Sequence, residues 1–314
     1  MNAILNRSRS IHPLLNQVID QMAQILLGKD AAIKLSLACL LARGHLLIED
    51  VPGVGKTTLA HALAQLLGLE YRRIQFTSDL LPSDVIGVSI FERNSGEFRF
   101  HPGPVFSQVL LADEINRATP KAQSALLEAM EERQVSIEGE TRALPSPFFV
   151  IATQNPGYQV GTYPLPESQL DRFLMRINIG FPTEAAEREL LRGEDRRALL
   201  GRTQALIDPS QLLELQQLSA QVHAADALLD YCQALLQFTR VSDQFVHGLS
   251  PRAGLGMLGA ARAWALIQGR DMVIPEDIQE VLPAVCSHRL QGTDSQSTNA
   301  DRLVDLLIRS VPIP

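Results

Sequence analysis

The sequence is short of the features that would send a chain to a membrane, a secreted scaffold or a nucleic-acid groove. It has no long Lys/Arg run, and its formal net charge is −7 from 28 basic and 35 acidic residues. A phosphate backbone therefore meets net repulsion. Only three cysteines are present, Cys39, Cys232 and Cys286, far apart in apolar, helical-looking stretches. An odd number without paired spacing argues against a disulfide framework and for reduced thiols serving as small core residues. Met1 to Ser10 is polar and lacks the apolar stretch of a signal peptide. Apolar runs such as Leu35 to Ala42 are too short to span a bilayer. Seven histidines, at positions 12, 45, 61, 101, 223, 247 and 288, show no metal-ligand spacing and read as solvated or packed. No internal repeat or low-complexity tract is evident. The expectation is a cytoplasmic protein without membrane insertion, for which nucleic acid is a poor default partner.

What is present is a globular balance, 46% hydrophobic and 20% charged over 314 residues, enough for one large domain or two modest ones. The first twenty residues carry Pro13 and weak periodicity and read as a lead-in to a helix. An apolar helix over 31–42 precedes a short buried strand at 45–49, a turn with Pro52 and two glycines, a helix over 56–67 closed by Gly68, and a strand over 71–76. Further strands are predicted at 109–113, 148–153 and 174–178. This alternation predicts a parallel sheet with helices on its faces. Gln154 to Arg172 reads as a surface connection. Beyond Phe181-Pro182 the pattern is almost wholly helical, with helix starts at Asp208-Pro209, Ser250-Pro251 and Ile274-Pro275. The boundary is placed between about 182 and 205.

The central motif is Asp50-Val51-Pro52-Gly53-Val54-Gly55-Lys56-Thr57-Thr58. It matches the P-loop pattern G-x-x-x-x-G-K-[ST] everywhere except the first position, where Asp50 stands for Gly. Gly53 and Gly55 allow backbone N–H groups to turn inward as a nest for phosphate oxygens. Lys56 reaches the β- and γ-phosphates, the Thr57 hydroxyl completes a Mg²⁺ shell, and the following helix adds its positive N-terminal end. Residues 53–58 (Gly53, Val54, Gly55, Lys56, Thr57, Thr58) are thus the candidate ATP-binding loop. Asp50 is expected to point away from the phosphates. A second element, Val109-Leu110-Leu111-Ala112-Asp113-Glu114, is an apolar strand ending in two acids. Asp113 would hold Mg²⁺, directly or through water, and Glu114 would act as general base toward the attacking water.

With these elements the chain resembles the AAA+ ATPases. Asp113-Glu114-Ile115-Asn116-Arg117-Ala118, Ala152-Thr153-Gln154-Asn155-Pro156, Gly161-Thr162-Tyr163-Pro164-Leu165-Pro166-Glu167 and Gln169-Leu170-Asp171-Arg172-Phe173 narrow the resemblance to the MoxR family, over about residues 18–290. The resemblance implies an α/β AAA+ base with a five-stranded parallel sheet (residues 1–190) followed by a small all-helical lid (205–314), with ATP in the cleft between them. It implies that Asn155 is sensor 1, that Arg172 is an arginine finger reaching a neighbour's γ-phosphate, and that Arg252 is sensor 2 on the lid. Hairpins at about 85–100 and 135–144 match a helix-2 insert and a pre-sensor-1 hairpin. Gly28-Lys29 matches a loop near the adenine. Gly254, Gly256 and Gly259 suit either close helix packing or close approach of the lid to nucleotide. Arg192, Arg196, Arg197 and Arg202, interleaved with Glu194 and Asp195, read as a solvated face.

The implied activity is Mg²⁺-dependent ATP hydrolysis in a homo-oligomer, a hexameric ring by family expectation. It would drive chaperone-like remodelling, assembly or activation of protein clients, with a von Willebrand A domain protein as the partner class. Alternatives are a magnesium-chelatase-like motor subunit, a DNA-remodelling ATPase, which the negative charge disfavours, and a non-catalytic nucleotide switch, against which Glu114 and Asn155 argue.

Overall fold

The computed structural model describes residues 2–94, 96–155, 161–193, 196–293 and 300–313, with residues 2–11 and 197 described by backbone alone. Pro156, Glu194, Asp195 and the Arg197 side chain, which enter the motif and charge readings, lie outside this description. The N-terminal reading needs correction. Helix α1 (Asn2–Ile25) runs straight through Pro13. The missing N–H removes one helical bond, but Leu15, Val18, Ile19, Met22 and Ile25 line one buried stripe, and such packing outweighs a local propensity.

The chain continues through α2 (Asp30–Leu41), β1 (Leu46–Glu49), α3 (Lys56–Leu66), β2 (Tyr71–Gln75) and α4 (Pro82–Ile86). A hairpin, β3 (Gly87–Glu92) and β4 (Glu97–Pro102), precedes β5 (Val109–Asp113) and α5 (Pro120–Glu132). A second hairpin, β6 (Gln134–Ile137) and β7 (Glu140–Ala143), leads to β8 (Phe149–Gln154), α6 (Glu167–Leu170) and β9 (Met175–Ile177). The C-terminal part is helical: α7 (Glu184–Arg192), α8 (Arg196–Arg202), α9 (Pro209–Gln221), α10 (Asp226–Val241), α11 (Pro251–Ile267), α12 (Pro275–Cys286) and α13 (Ala300–Ser310). The first hairpin starts two residues later than expected, because Pro82 opens a helical turn that takes in Val85 and Ile86.

Five strands form one parallel sheet in the order β2-β5-β8-β1-β9. Successive side chains face opposite sides. Leu46, Ile48, Val109, Leu111, Phe149 and Ile151 join α1, α2, α3 and the C-terminal helices in one core. Leu47, Leu110, Ala112, Val150 and Ala152 pack with α5 in another. The first core is continuous from the sheet into α9, α11 and α12. All three cysteines are buried, and burial pushes the Cys232 and Cys286 thiols up to about 11 and about 12. Among the described residues no helix is long and apolar enough to cross a membrane.

His45, just ahead of β1, ties three elements together. Its Nδ1 accepts from the Val150 N–H at 3.0 Å, while Nε2 faces the Met130 carbonyl at 3.3 Å. The ring is therefore the neutral Nε2–H tautomer, and a proton on Nδ1 would confront another donor. Burial lowers its pKa from 6.5 to about 4. Below pH 6.5 the unfolded chain then binds a proton that the folded one refuses, so stability falls as pH drops through 6.5 toward 4. Burial depresses His288 as well. Urea unfolding between pH 7 and pH 5 should show stability lost at up to about 1.4 kcal/mol per pH unit for each such histidine. His45→Gln should flatten part of that slope. An equal slope in the variant would contradict this role.

Candidate active site

A parallel sheet binds ligands at the carboxyl ends of its strands, where connections leave in opposite directions. Here that point is β1, with β8 on one side and β9 on the other. Residues 50–55 turn from β1 into α3, with Gly53 at φ +89° and Gly55 at φ +102°, a backbone region that L side chains rarely adopt. A cavity of about 270 Å³ opens there, lined by Pro52, Gly53, Gly55, Lys56, Thr57, Thr58, Asp113, Glu114 and Asn155. Residues that lie up to about a hundred positions apart in the chain thus face one volume. Lys56 Nζ donates to the Asp50 carbonyl and, at 3.0 Å, to Asn155 Oδ1. Burial pulls the Lys56 ammonium pKa down, while Asp50, Asp113 and Glu114 pull it back up.

Asp50 does point away from this cavity. Its Oδ1 accepts from the Val51 N–H at 2.7 Å, and its Oδ2 accepts from the N–H groups of Ile179 and Gly180 at 2.7 and 2.6 Å. A buried carboxylate with three backbone donors is satisfied without reaching toward the turn of Gly53 and Gly55.

The two acids at the end of β5 are held in part by residues to which no role was assigned from sequence, Arg73, Gln75 and Thr153. Arg73 of β2 donates to Asp113 Oδ2 at 2.7 Å, and the fully buried Thr153 donates to Asp113 Oδ1 at 2.6 Å. The same Thr153 hydroxyl accepts from the Glu114 N–H at 2.9 Å. That bond steadies Glu114 in the left-handed region, φ 55° and ψ 49°, a conformation that non-glycine residues hold mostly where surroundings over-determine them. Glu114 Oε1 accepts from Asn155 Nδ2 at 3.1 Å, and Oε2 accepts from Gln75 and Arg117, each at 2.9 Å. The available signal was the pair Arg73 and Gln75, two polar residues on one side of the predicted strand over 71–76.

Asp113 and Thr57 offer a carboxylate and a hydroxyl on the wall of one cavity, a hard-oxygen pair of the kind Mg²⁺ takes together with phosphate oxygens and water. Among the described residues no group of three or more His, Cys, Asp or Glu side chains could hold a metal by itself. The donor set therefore suits a metal brought in with phosphate.

A second cleft of about 430 Å³ adjoins the first, lined among others by Leu26, Lys29, Val54, Thr58, Phe181, Leu190 and Leu191. Val54 and Lys29 belong to this cleft. Its far wall is the segment 181–182 with α7 and α8, and the helix carrying Arg252 does not line it. Gly254 and Gly256 do not approach the loop either; a Cβ on each would meet Leu236 at 2.7 Å and Leu174 at 2.8 Å, so close packing explains both.

Arg172 and Arg252 are brought together, but not here. Helix α5 leaves the carboxyl end of β5 and runs back to the amino end of the sheet, where Met130 meets His45. Next to it, Glu131 takes Arg172 at 2.9 Å on one oxygen and Arg252 on the other. The Arg252 guanidinium, above all, holds the Glu131 carboxyl below its usual pKa. Arg172 lies three residues ahead of β9, in a segment fastened by Arg289, which donates to Asp171 Oδ1 at 2.7 Å and to the Phe173 carbonyl at 2.6 Å. The sheet separates both arginines from the loop of Lys56.

Residues 45–175 match the family model described as ATPase family associated with various cellular activities (AAA), and residues 237–306 match the AAA lid domain. The chain is similar to Chaperone MoxR1 of Mycobacterium tuberculosis, 42% identical over 96% of this chain and 82% of that one. It is 43% identical to YeaC of Bacillus subtilis over 97% of this chain and 96% of that one. The crystal structure of a protein from Cytophaga hutchinsonii described as an ATPase superposes with a TM-score of 0.90, at 35% identity, over 98% and 97% of the two chains.

Proposed function

The chain belongs to the MoxR family of AAA+ ATPases, and we propose that it uses ATP hydrolysis for chaperone-like remodelling, assembly or activation of partner proteins within a ring of identical subunits. The observation that carries this reading is the split of the candidate machinery between the two ends of the sheet. Lys56, Thr57, Asp113, Glu114 and Asn155 face one cavity, while Arg172 and Arg252 share Glu131 at the other end. A site divided this way is completed by a neighbour placed head to tail, and such contacts close into rings.

In this mechanism the nest of residues 53–58 binds the triphosphate. Lys56 Nζ exchanges the Asp50 carbonyl and Asn155 for β- and γ-phosphate oxygens. Thr57 and Asp113 would hold Mg²⁺, which when bound would offset charge building on the phosphates. The Asn155 amide orients the attacking water, and a Glu114 carboxylate oxygen accepts its proton. Thr153 and Arg73 fix the two acids, so little reorganisation is needed when charge develops. Arg172, with Arg252 beside it, reaches the γ-phosphate of the next subunit. Base and lid are taken as residues 1–190 and 205–314.

Client contact is assigned to the first hairpin. Ile90, Phe91 and Phe98 are 49%, 51% and 71% exposed there, and Phe91 and Phe98 stack edge to face across it. Exposed aromatics on a projecting hairpin offer apolar surface without sequence demands. A von Willebrand A domain protein is the partner class suggested by family resemblance.

Mass photometry tests the ring. With ATP and Mg²⁺ the 34.5 kDa chain should assemble into particles of about six subunits. Monomers at every protein and nucleotide concentration would sink this part of the reading.

A further inference from the structure

Asp50 departs from the P-loop pattern, and its surroundings show a use for the departure. The backbone of Ile179 and Gly180 is gripped from both sides. Asp50 Oδ2 accepts both of their N–H groups, at 2.7 and 2.6 Å, and Lys29 Nζ donates to both of their carbonyls, at 3.1 and 2.7 Å. Asp50 and Lys29 are each only 8% exposed. Bonds to charged partners are the stronger class, and four of them converge on two residues. Gly180, at φ +69°, makes the turn that brings the following segment round.

Immediately after that turn the chain forms the far wall of the second cleft, with Phe181, Pro182 and the residues of α7. The grip has a further contact one turn into that helix. A Cβ on Gly28 would lie 3.2 Å from the Ala186 side chain and 3.7 Å from Thr183 Oγ1, so the loop bearing Lys29 sits hard against the start of α7. On its other side Asp50 belongs to the phosphate loop itself, where its backbone carbonyl accepts from Lys56. One residue thus serves the phosphate loop through its backbone and the opposite wall through its side chain.

We propose that Asp50, with Lys29, is a positioning residue that ties the phosphate loop to the segment 179–182 and so sets the width of the cleft that receives the nucleoside part of ATP. The proposal rests on the reading of the loop as the nucleotide site and adds to it a division of labour. The phosphate nest needs only the backbone of residue 50, which any residue supplies. The nucleoside cleft needs its carboxylate.

Two ligands separate these demands. ADP fills both parts of the site, and tripolyphosphate fills only the nest. By titration calorimetry, Asp50→Gly, which restores the P-loop pattern, should weaken ADP about tenfold or more, the scale of losing charge-assisted bonds, and leave tripolyphosphate unchanged. Asp50→Asn keeps the shape but offers a single acceptor oxygen, so it should fall between. Lys29→Met, on a different element, should give the same selective loss of ADP, and combining it with Asp50→Gly should add little, because both grip the same two residues. The agreement of variants from two elements guards against a folding defect in either one. Equal losses for the two ligands, or no loss of ADP in any variant, would overturn the clamp. Tripolyphosphate binding that survives Lys56→Ala would overturn the assignment of the loop itself, and the clamp with it.

Discussion

Replacing Glu114 by Gln should cut ATP turnover by about 10²- to 10⁴-fold, the usual contribution of a positioned general base, while nucleotide binding persists. The structure explains why the two effects separate. Glu114 lines the cavity beside Lys56 and Thr57 but makes its own contacts with Asn155, Gln75 and Arg117, all outside the backbone donors of residues 53–58 proposed to take the phosphates. An amide in its place still accepts one of these bonds, and a side chain 23% exposed leaves the others to water. What the amide lacks is basicity toward the attacking water. Single-turnover hydrolysis beside equilibrium binding of a fluorescent ATP analogue measures both properties. Near-normal turnover would mean that another group takes the proton. A parallel loss of binding would mean that Glu114 holds the loop together. The same variant, locked with ATP, is the natural reagent for capturing clients.

Arg172→Ala should lower turnover by about 10³-fold or more, as expected for loss of a cation that meets the transferring phosphoryl group, without weakening nucleotide binding. The reason is distance within one subunit. Arg172 lies near the amino end of the sheet, and the four residues of β1 alone separate that end from the loop by ~13 Å at the rise of a parallel strand. An effect on hydrolysis through the subunit's own site is therefore unavailable to it. The competing explanation is a structural effect through Glu131, since Arg172 and Arg252 share that carboxylate. Glu131→Gln separates the two cases. It removes the shared anion and should leave turnover near that of the parent protein, because a partly exposed ion pair contributes little by itself. If Glu131→Gln proves as damaging as Arg172→Ala, the arginine acts as a fastener and not as a finger.

The turn from β1 into α3 and the α/β architecture were legible because each rests on local rules. Gly53 and Gly55 announce positive φ, an apolar run ending in Asp113-Glu114 announces a buried strand with polar residues at its end, and all five sheet strands were placed within a residue or so of their observed limits. What could not be read depends on contacts between distant segments. The first twenty residues, with Pro13 and weak periodicity, read as a lead-in until the buried stripe from Leu15 to Ile25 is seen to carry one helix through them. Thr153 is an ordinary strand residue until the sheet sets it beside Asp113. The pairing of Arg252 with Arg172 depends on where α5 ends and how the C-terminal helices pack on α2, neither of which leaves a periodic trace. Asp50 was visible as an exception, but its partners lie about 130 positions further along the chain.

The central claim is that one functional site is divided between neighbouring subunits, and a mixing experiment tests it most directly. Glu114→Gln subunits keep Arg172, and Arg172→Ala subunits keep Lys56, Asp113 and Glu114. Each alone should be nearly inactive, but at interfaces where an Arg172→Ala subunit receives the arginine of a Glu114→Gln neighbour the site is whole. ATPase activity should therefore reappear on mixing, greatest near equal proportions and lost on dilution below assembly. If the mixture shows no more activity than the sum of its parts while assembling normally, the site is not shared in this way and the account is wrong at its centre.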